Sequence, residues 1–284
     1  MKETLADLLN LEQIDDNLFR GENFDTVSGI LFGGQVLAQS LTAARRTLND
    51  DRRLHSMHAY FILAGKLDRP VIFHVDTIRD GRSFTTRRVV AVQNGTPIFN
   101  MSCSFQKDEE GFEHRDEMPD VPHHSQLITD VEWLEQNQDS APPIMKKFLR
   151  NRFFHFKPTE IINPFELKAH QPTQSIWLKC AEPLPDNPAV HGEALAFVSD
   201  FNLMMTGTLP HGDQFRLDQL QTASLDHAMW LHRPFRADEW LLYHITSPSA
   251  SNARGLNIGR IFNEDGVLVA TAVQEGLMRM KRRS

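Results

Sequence analysis

The stretch Leu195–Met205, LAFVSDFNLMM, is apolar almost throughout yet carries Asp200 at its centre. An ionised carboxylate is costly to bury unless it is paired or hydrogen-bonded. From the stretch alone three purposes are open: a helix cap supplied by Ser199 or Asp200, a salt bridge, or a general base. Histidine is the usual base near neutral pH, so His58 competes for that role. His227 recurs in a similar context, and a strand histidine hydrogen-bonded in the core is the plainer reading. His55 and His58, with His123 and His124, are the residues that would hold a metal. Their spacing spells no complete ligand set such as H-E-x-x-H, and no metal is expected. The chain has no G-x-S-x-G elbow, which argues against a Ser-His-Asp hydrolase, and no Walker or dinucleotide fingerprint.

The elements that must position these residues fall into two similar sets. GGQVLAQSLTAARRTL (33–48) has apolar residues at Val36, Leu37, Leu41, Ala44 and Leu48, a helical spacing opened by two glycines. Residues 70–106 are strand-like, with Asn94-Gly95 a strong hairpin signal and Asp80-Gly81 a second turn candidate. The second half repeats the plan. A helix is expected over 193–205, then strands within 222–232, 239–251, 254–264 and 266–279. Asp265-Gly266 separates the last two as Asn94-Gly95 does earlier. His58-Ala59-Tyr60-Phe61 matches His227-Ala228-Met229-Trp230, and both landmarks are offset by about 170 residues, as a duplication produces.

Between the halves, residues 107–126 are acidic, carry two prolines and lack apolar period, and read as a linker. A short helical stretch follows (about 129–151), then FFHFKPTEI and QSIWLKCAE as the first strands of the second unit. The expected domains are 1–107, 108–151 and 152–284. One helix wrapped by an antiparallel sheet, twice over, is an α+β double hotdog. Joining the two sheets edge to edge would cover strands otherwise prone to aggregation.

Composition narrows the classes. The 284 residues are 40% hydrophobic and 24% charged, which is globular. Lys+Arg 30 against Asp+Glu 37 argues against a dedicated nucleic-acid binder. Two cysteines, Cys103 and Cys180, make no disulfide framework and fit a reducing compartment. No stretch approaches the roughly 18–20 apolar residues of a membrane span. The first residues lack a signal-peptide core, and MKRRS is not a Ser-Lys-Leu address. A soluble, cytoplasmic protein is expected.

FGGQVLAQSL, LHSMHAYFI, RDGRSFTTRRVVAVQNG, ASLDHAMWLHRPF, EWLLY and DGVLVATAVQEGLMR, taken in order, resemble the acyl-CoA thioesterase II family, the bacterial enzyme and its peroxisomal relatives. The resemblance covers nearly the whole chain. It implies a double hotdog that hydrolyses acyl-CoA thioesters to fatty acid and CoA with no metal or cofactor. It also implies a site at the second-half helix, where an Asp, a Thr or Ser, and a Gln hold the attacking water. Those roles fall on Asp200, Ser224 and Gln274. Bacterial members have Thr where this chain has Ser224, so the hydroxyl is kept and a methyl lost. A homodimer or higher homo-oligomer is expected, since hotdog sheets commonly associate.

The chemistry is consistent with those residue types. Thioester hydrolysis needs an oriented water, a proton acceptor and support for the oxyanion. The thiol leaving group, with a reference pKa near ~8.5, departs as thiolate without a general acid. Asp200 is expected near a helix N-terminus, where the dipole favours its charge. If 222–227 is one strand, Thr222, Ser224 and Asp226 share a face and Ala223, Leu225 and His227 the other. Asp226 is a rival carboxylate, expected to orient His227 or Arg233. Gln274 follows seven apolar or small residues and can both donate and accept. GGQ (33–35) opens the first-half helix without a carboxylate, so that half is expected to be catalytically silent. Its glycines would permit close backbone approach, and its amides anion binding. The CoA phosphates would meet Arg82, Arg87, Arg88, Arg233 or Arg254, and the acyl chain Phe201, Met204 and Met205. The competing functions are a hotdog acyl-thioester dehydratase or hydratase, which would want His paired with a carboxylate, and an acyl-CoA-binding protein without turnover.

Overall fold

The computed structural model describes residues 4–24, 29–49, 52–137, 152–163 and 166–281. The first half contains α1 (Leu5–Leu9), β1 (Glu12–Asp15), β2 (Leu18–Gly21), α2 (Gly33–Arg45), β3 (Arg53–Phe61), β4 (Val71–Asp80), β5 (Phe84–Gln93) and β6 (Thr96–Gln106). A strap without regular strands follows, then α3 (Asp130–Gln136); the remainder of the helix expected to residue 151 lies outside the described residues. The second half contains β7 (Phe154–Pro158), β8 (Thr173–Cys180), α4 (Pro188–Ser199), α5 (Leu203–Thr206), β9 (Leu220–Ser224), β10 (Asp226–Leu231), β11 (Leu241–Ser251), β12 (Arg254–Asn263) and β13 (Leu268–Met280).

All strands join one antiparallel sheet in the order β1-β2-β4-β5-β6-β3-β10-β13-β12-β11-β8-β7, with β9 paired to β13. This is the α+β double hotdog: each half wraps one long helix, and the halves fuse where β3 pairs with β10. There Met57 lies opposite Met229 and Ala59 opposite His227. Two hairpins show how local chemistry sets register. Asn94 (φ 51°) and Gly95 (φ 72°) form the left-handed pair that a two-residue turn requires. The matching turn in the second half, between β12 and β13, carries Gly266 at φ 72°, and the β11–β12 turn is Asn252-Ala253 (φ 47° and 58°). The latter was invisible to a search for glycine.

The repeat is in register by strand ends. β3 ends at Phe61 and β10 at Leu231, and β4 begins at Val71 and β11 at Leu241, an offset of 170. The sequence match of His58 with His227 is therefore one residue out of step. A one-residue slip turns every side chain to the other face, and indeed His58 is exposed while His227 is fully buried.

Helices α2 and α4 pack against each other inside the sheet. Residues 34–44 of α2 and 191–199 of α4 are buried, so α4 is apolar on nearly every side, as a central helix must be. One main core runs through both halves. A second, smaller cluster of Trp177, Leu242, Phe262 and Leu268 lies on the outer face of the second half, under Met118, Val121 and Leu127 of the strap region.

The two helices touch at Gly34. A Cβ there would stand 2.1 Å from the backbone oxygen of Phe197, so any side chain must push the helices apart. Gly34→Ala should lower unfolding stability by about 1–3 kcal/mol, the usual range for overpacking. Urea denaturation checks this, and an unchanged midpoint would show that the crossing is looser than described.

Candidate active site

The expected single helix over 193–205 is broken at Asp200. Asn187 caps the start of α4 by accepting from the Ala189 N–H, and Pro188 opens its first turn. Asp200 is the C-cap (φ −78°, ψ −15°). Asn202, at φ 61°, then turns the chain into the four-residue α5, a conformation asparagine tolerates better than most residues. Asp200 therefore does not sit at the start of its own helix, as expected, but at its end, where the dipole opposes a negative charge. Compensation comes from the other half. The Gly34 N–H, in the first turn of α2, donates to Asp200 Oδ2 at 3.0 Å. A Cβ on Gly33 would fall 2.6 Å from that same oxygen. GGQ is thus no counterpart of Asp200 by position, but it lies against Asp200. It delivers the positive end of a helix to the carboxylate.

The other two residues converge on the same group. Gln274 Nε2 donates to Asp200 Oδ1 at 2.6 Å, and Ser224 Oγ donates to it at 3.4 Å. Gln274 is fully buried at the middle of β13. Ser224 ends β9, opposite Gly276, whereas Ala228 of β10 lies opposite Val273. The register slips by one residue around Leu225, so the even alternation expected through 222–227 does not hold. Asp226 is used structurally, but not on His227 or Arg233: its carboxylate accepts the Glu275 N–H at 2.7 Å.

His227 has a role that sequence reading did not assign. Gln274 Nε2 lies 3.4 Å from His227 Nδ1, and His227 Nε2 lies 3.0 Å from Ser199 Oγ. The amide is a donor, so Nδ1 accepts and Nε2 carries the proton. Ser199 in turn donates to the Ala196 carbonyl and accepts at its own carbonyl from Tyr243. Burial holds the His227 pKa down at about 3, so the ring is neutral. It fixes the Gln274 amide with its nitrogen toward Asp200. Gln274 Oε1 has no partner among the described residues. His58 faces outward with its ring edge-on to Trp230 at 5.1 Å, away from the carboxylate.

Burial raises the Asp200 pKa, and the bonds from Gln274, Gly34 and Ser224 oppose that rise without cancelling it. The result is a carboxylate more basic than usual. Three of its roughly four lone-pair sites are filled, which leaves one for an incoming proton donor.

The remaining candidates sort by burial. Arg87 is 2% exposed and bound to Asp80 and Thr47, so it is a core strut rather than a phosphate ligand. Arg88 pairs with Asp76, and Arg233 donates to the carbonyls of Leu268 and His114. Phe201 packs among Phe32, Phe156 and Phe197 in the core. Met204 lies over Gly276, where a Cβ would meet its Cγ at 2.5 Å. Beyond it is a cavity of about 340 Å³ lined by Thr208, Phe215, Leu220, Arg254, Met278 and Met280, among others. Arg254 pairs there with Glu275 at 2.9 Å. Met278 is four residues past Gln274 on β13, roughly 13 Å along the strand. The cavity is therefore beside the trio and does not contain it.

Comparison with known proteins places the chain in a family. A family model described as acyl-CoA thioesterase matches residues 144–277, and one described as the acyl-CoA thioesterase N-terminal domain matches residues 21–106. Acyl-CoA thioesterase 2 of Haemophilus influenzae is 39% identical over 276 residues, covering 97% of this chain and 96% of the relative. Mouse acyl-coenzyme A thioesterase 8 is 38% identical over 288 residues, covering 98% and 89%. The crystal structure of an acyl-CoA thioesterase II from Mycobacterium marinum superposes with a TM-score of 0.79 at 39% identity, covering 96% of this chain and 97% of that one.

The neutral, buried His227 makes a signed prediction. Its folded pKa lies below the unfolded value of 6.5. As pH falls below 6.5 the unfolded chain takes up a proton that the folded chain refuses, so stability is lost. The stability advantage of wild type over His227→Asn should therefore shrink by about 1.4 kcal/mol per pH unit between pH 6 and 4. Denaturant titrations at three pH values measure it. A constant difference would mean that the ring is protonated in the folded state.

Proposed function

The chain belongs to the acyl-CoA thioesterase family, and we propose that it hydrolyses acyl-CoA thioesters to fatty acid and CoA with a water activated by Asp200. The observation that carries this reading is the convergence of Gln274 Nε2, Ser224 Oγ and the Gly34 N–H on one carboxylate of raised pKa. The water donates one proton to Asp200, and its oxygen attacks the thioester carbonyl carbon. The tetrahedral oxyanion collapses, the carbon–sulfur bond breaks, and CoA leaves as thiolate. Gln274 and Ser224 keep the carboxylate and the water in place. The backbone amide of Gly33, at the opening of α2 beside Asp200, is the proposed donor to the oxyanion. The acyl chain runs under Met204 toward the cavity at Met278.

Covalent catalysis by cysteine is disfavoured, because burial raises the thiols of Cys103 and Cys180 to about 12 and about 11. A dehydratase would use a histidine paired with a carboxylate, but His227 is neutral and engaged by Gln274 and Ser199. A pure binding protein would not need a desolvated aspartate of raised pKa.

We further place the domain limits at 1–107, 108–151 and 152–284, supported by the separate family matches to 21–106 and 144–277. No helix among the described residues is long and apolar enough to cross a membrane, and we propose a cytoplasmic enzyme. The open edges of β1 and β7 support association into homo-oligomers.

Thiol release from palmitoyl-CoA, followed with a thiol reagent, tests the reading, since both native cysteines are buried. Asp200→Asn should lower kcat by about 10²–10⁴-fold, the usual worth of a general base. Ser224→Thr should retain activity, and Ser224→Ala should keep a measurable fraction of it. Full turnover by Asp200→Asn removes Asp200 as the base; total loss in Ser224→Ala would favour an acyl-serine intermediate.

A further inference from the structure

We propose that His123, His124 and Glu264 form a binding site for a borderline divalent metal, Zn²⁺ being the representative, on the outer face of the second half. The ligating atoms all lie within 4.8 Å of one another. His124 Nε2 is 2.5 Å and His123 Nε2 3.7 Å from Glu264 Oε1. Donors around a tetrahedral zinc stand about 3.3 Å apart when metal–nitrogen distances are near 2.0–2.1 Å. Shifts of about an ångström therefore convert the cluster into a three-ligand shell. Two imidazoles and a carboxylate select zinc, nickel, cobalt or copper over magnesium or calcium.

The cluster is held by its surroundings. The His124 ring stacks on Trp240 at 5.0 Å and meets Trp177 edge-on at 5.3 Å. His123 Nδ1 lies 2.8 Å from Ser125 Oγ. Nδ1 also accepts from the Ser125 N–H at 3.3 Å, so Ser125 holds the ring from that side and leaves Nε2 turned toward Glu264. Lys157 lies close, but its ammonium is engaged by the His124 carbonyl and the Trp240 ring.

The place of the site gives it a purpose. His123 and His124 end the strap, and Glu264 lies in the turn after β12. The strap is already fastened by Trp177 Nε1 donating to the Pro122 carbonyl and by Arg260 pairing with Asp116. A metal would pin it to the β12–β13 turn. Phe262 faces this outer cluster while Ile261 faces the main core, so the site is across the sheet from Asp200 and stabilises the fold without entering the reaction.

Isothermal titration of EDTA-treated, full-length protein with ZnCl₂ tests the proposal, beside wild-type, Glu264→Gln and His123→Gln proteins. Ni²⁺ quenching of tryptophan emission supplies a second readout, since Trp177 and Trp240 flank the site. Wild type should bind one Zn²⁺ saturably and gain thermal stability from it. Each variant should lose that one site by about tenfold or more, with palmitoyl-CoA hydrolysis within about twofold of wild type. The proposal is overturned if wild type shows no saturable site, or if both variants bind zinc and quench as wild type does.

Discussion

The structure turns on one carboxylate at the wrong end of a helix. Asp200 caps the C-terminus of the buried helix α4, where partial negative charge gathers, and burial desolvates it. Left alone it would have its pKa pushed still higher by burial. It is instead placed against the N-terminus of α2, from the other half of the chain, and receives donors from α2, β9 and β13. Charge-assisted bonds of this kind contribute about 1.5–3 kcal/mol each. They oppose the desolvation without cancelling it, which is why the pKa remains raised. A carboxylate held between those two tendencies accepts a proton more readily than an exposed aspartate.

That arrangement explains features that look unrelated. The double hotdog is needed because a single half has a helix end but not the opposing one. The glycines at 33 and 34 are needed because the carboxylate and the Phe197 carbonyl occupy the space a Cβ would take. His227 is kept neutral by burial and so can accept from Gln274, whereas a protonated ring would turn the amide around. Each is a consequence of bringing a carboxylate to the junction of α2 and α4 and supplying it with donors there.

Much of this was legible in the sequence. The apolar period of 33–48, the Asn94-Gly95 hairpin and the oddity of Asp200 in an apolar run all pointed to elements that exist. Ser224 and Gln274 came from resemblance, since a strand-end hydroxyl or amide is ordinary by itself. What the sequence hid is non-local. The break after Asp200 depends on Asn202 adopting a positive φ, and nothing in the apolar pattern marks it. The slip at Leu225 arises from two different strands pairing with β13. The role of Gly34 requires knowing that α2 and α4 run past each other, and Glu264 joins His123 and His124 from 140 residues away.

The most direct test of the central claim is the pH dependence of kcat/KM for wild type and Gln274→Ala. If Asp200 is the base and Gln274 holds its charge, removing the amide moves the acid limb of the profile to higher pH, with a lower plateau. An acid limb that stays in place while only the plateau falls would contradict the account, because the ionisation controlling the reaction would then belong to another group.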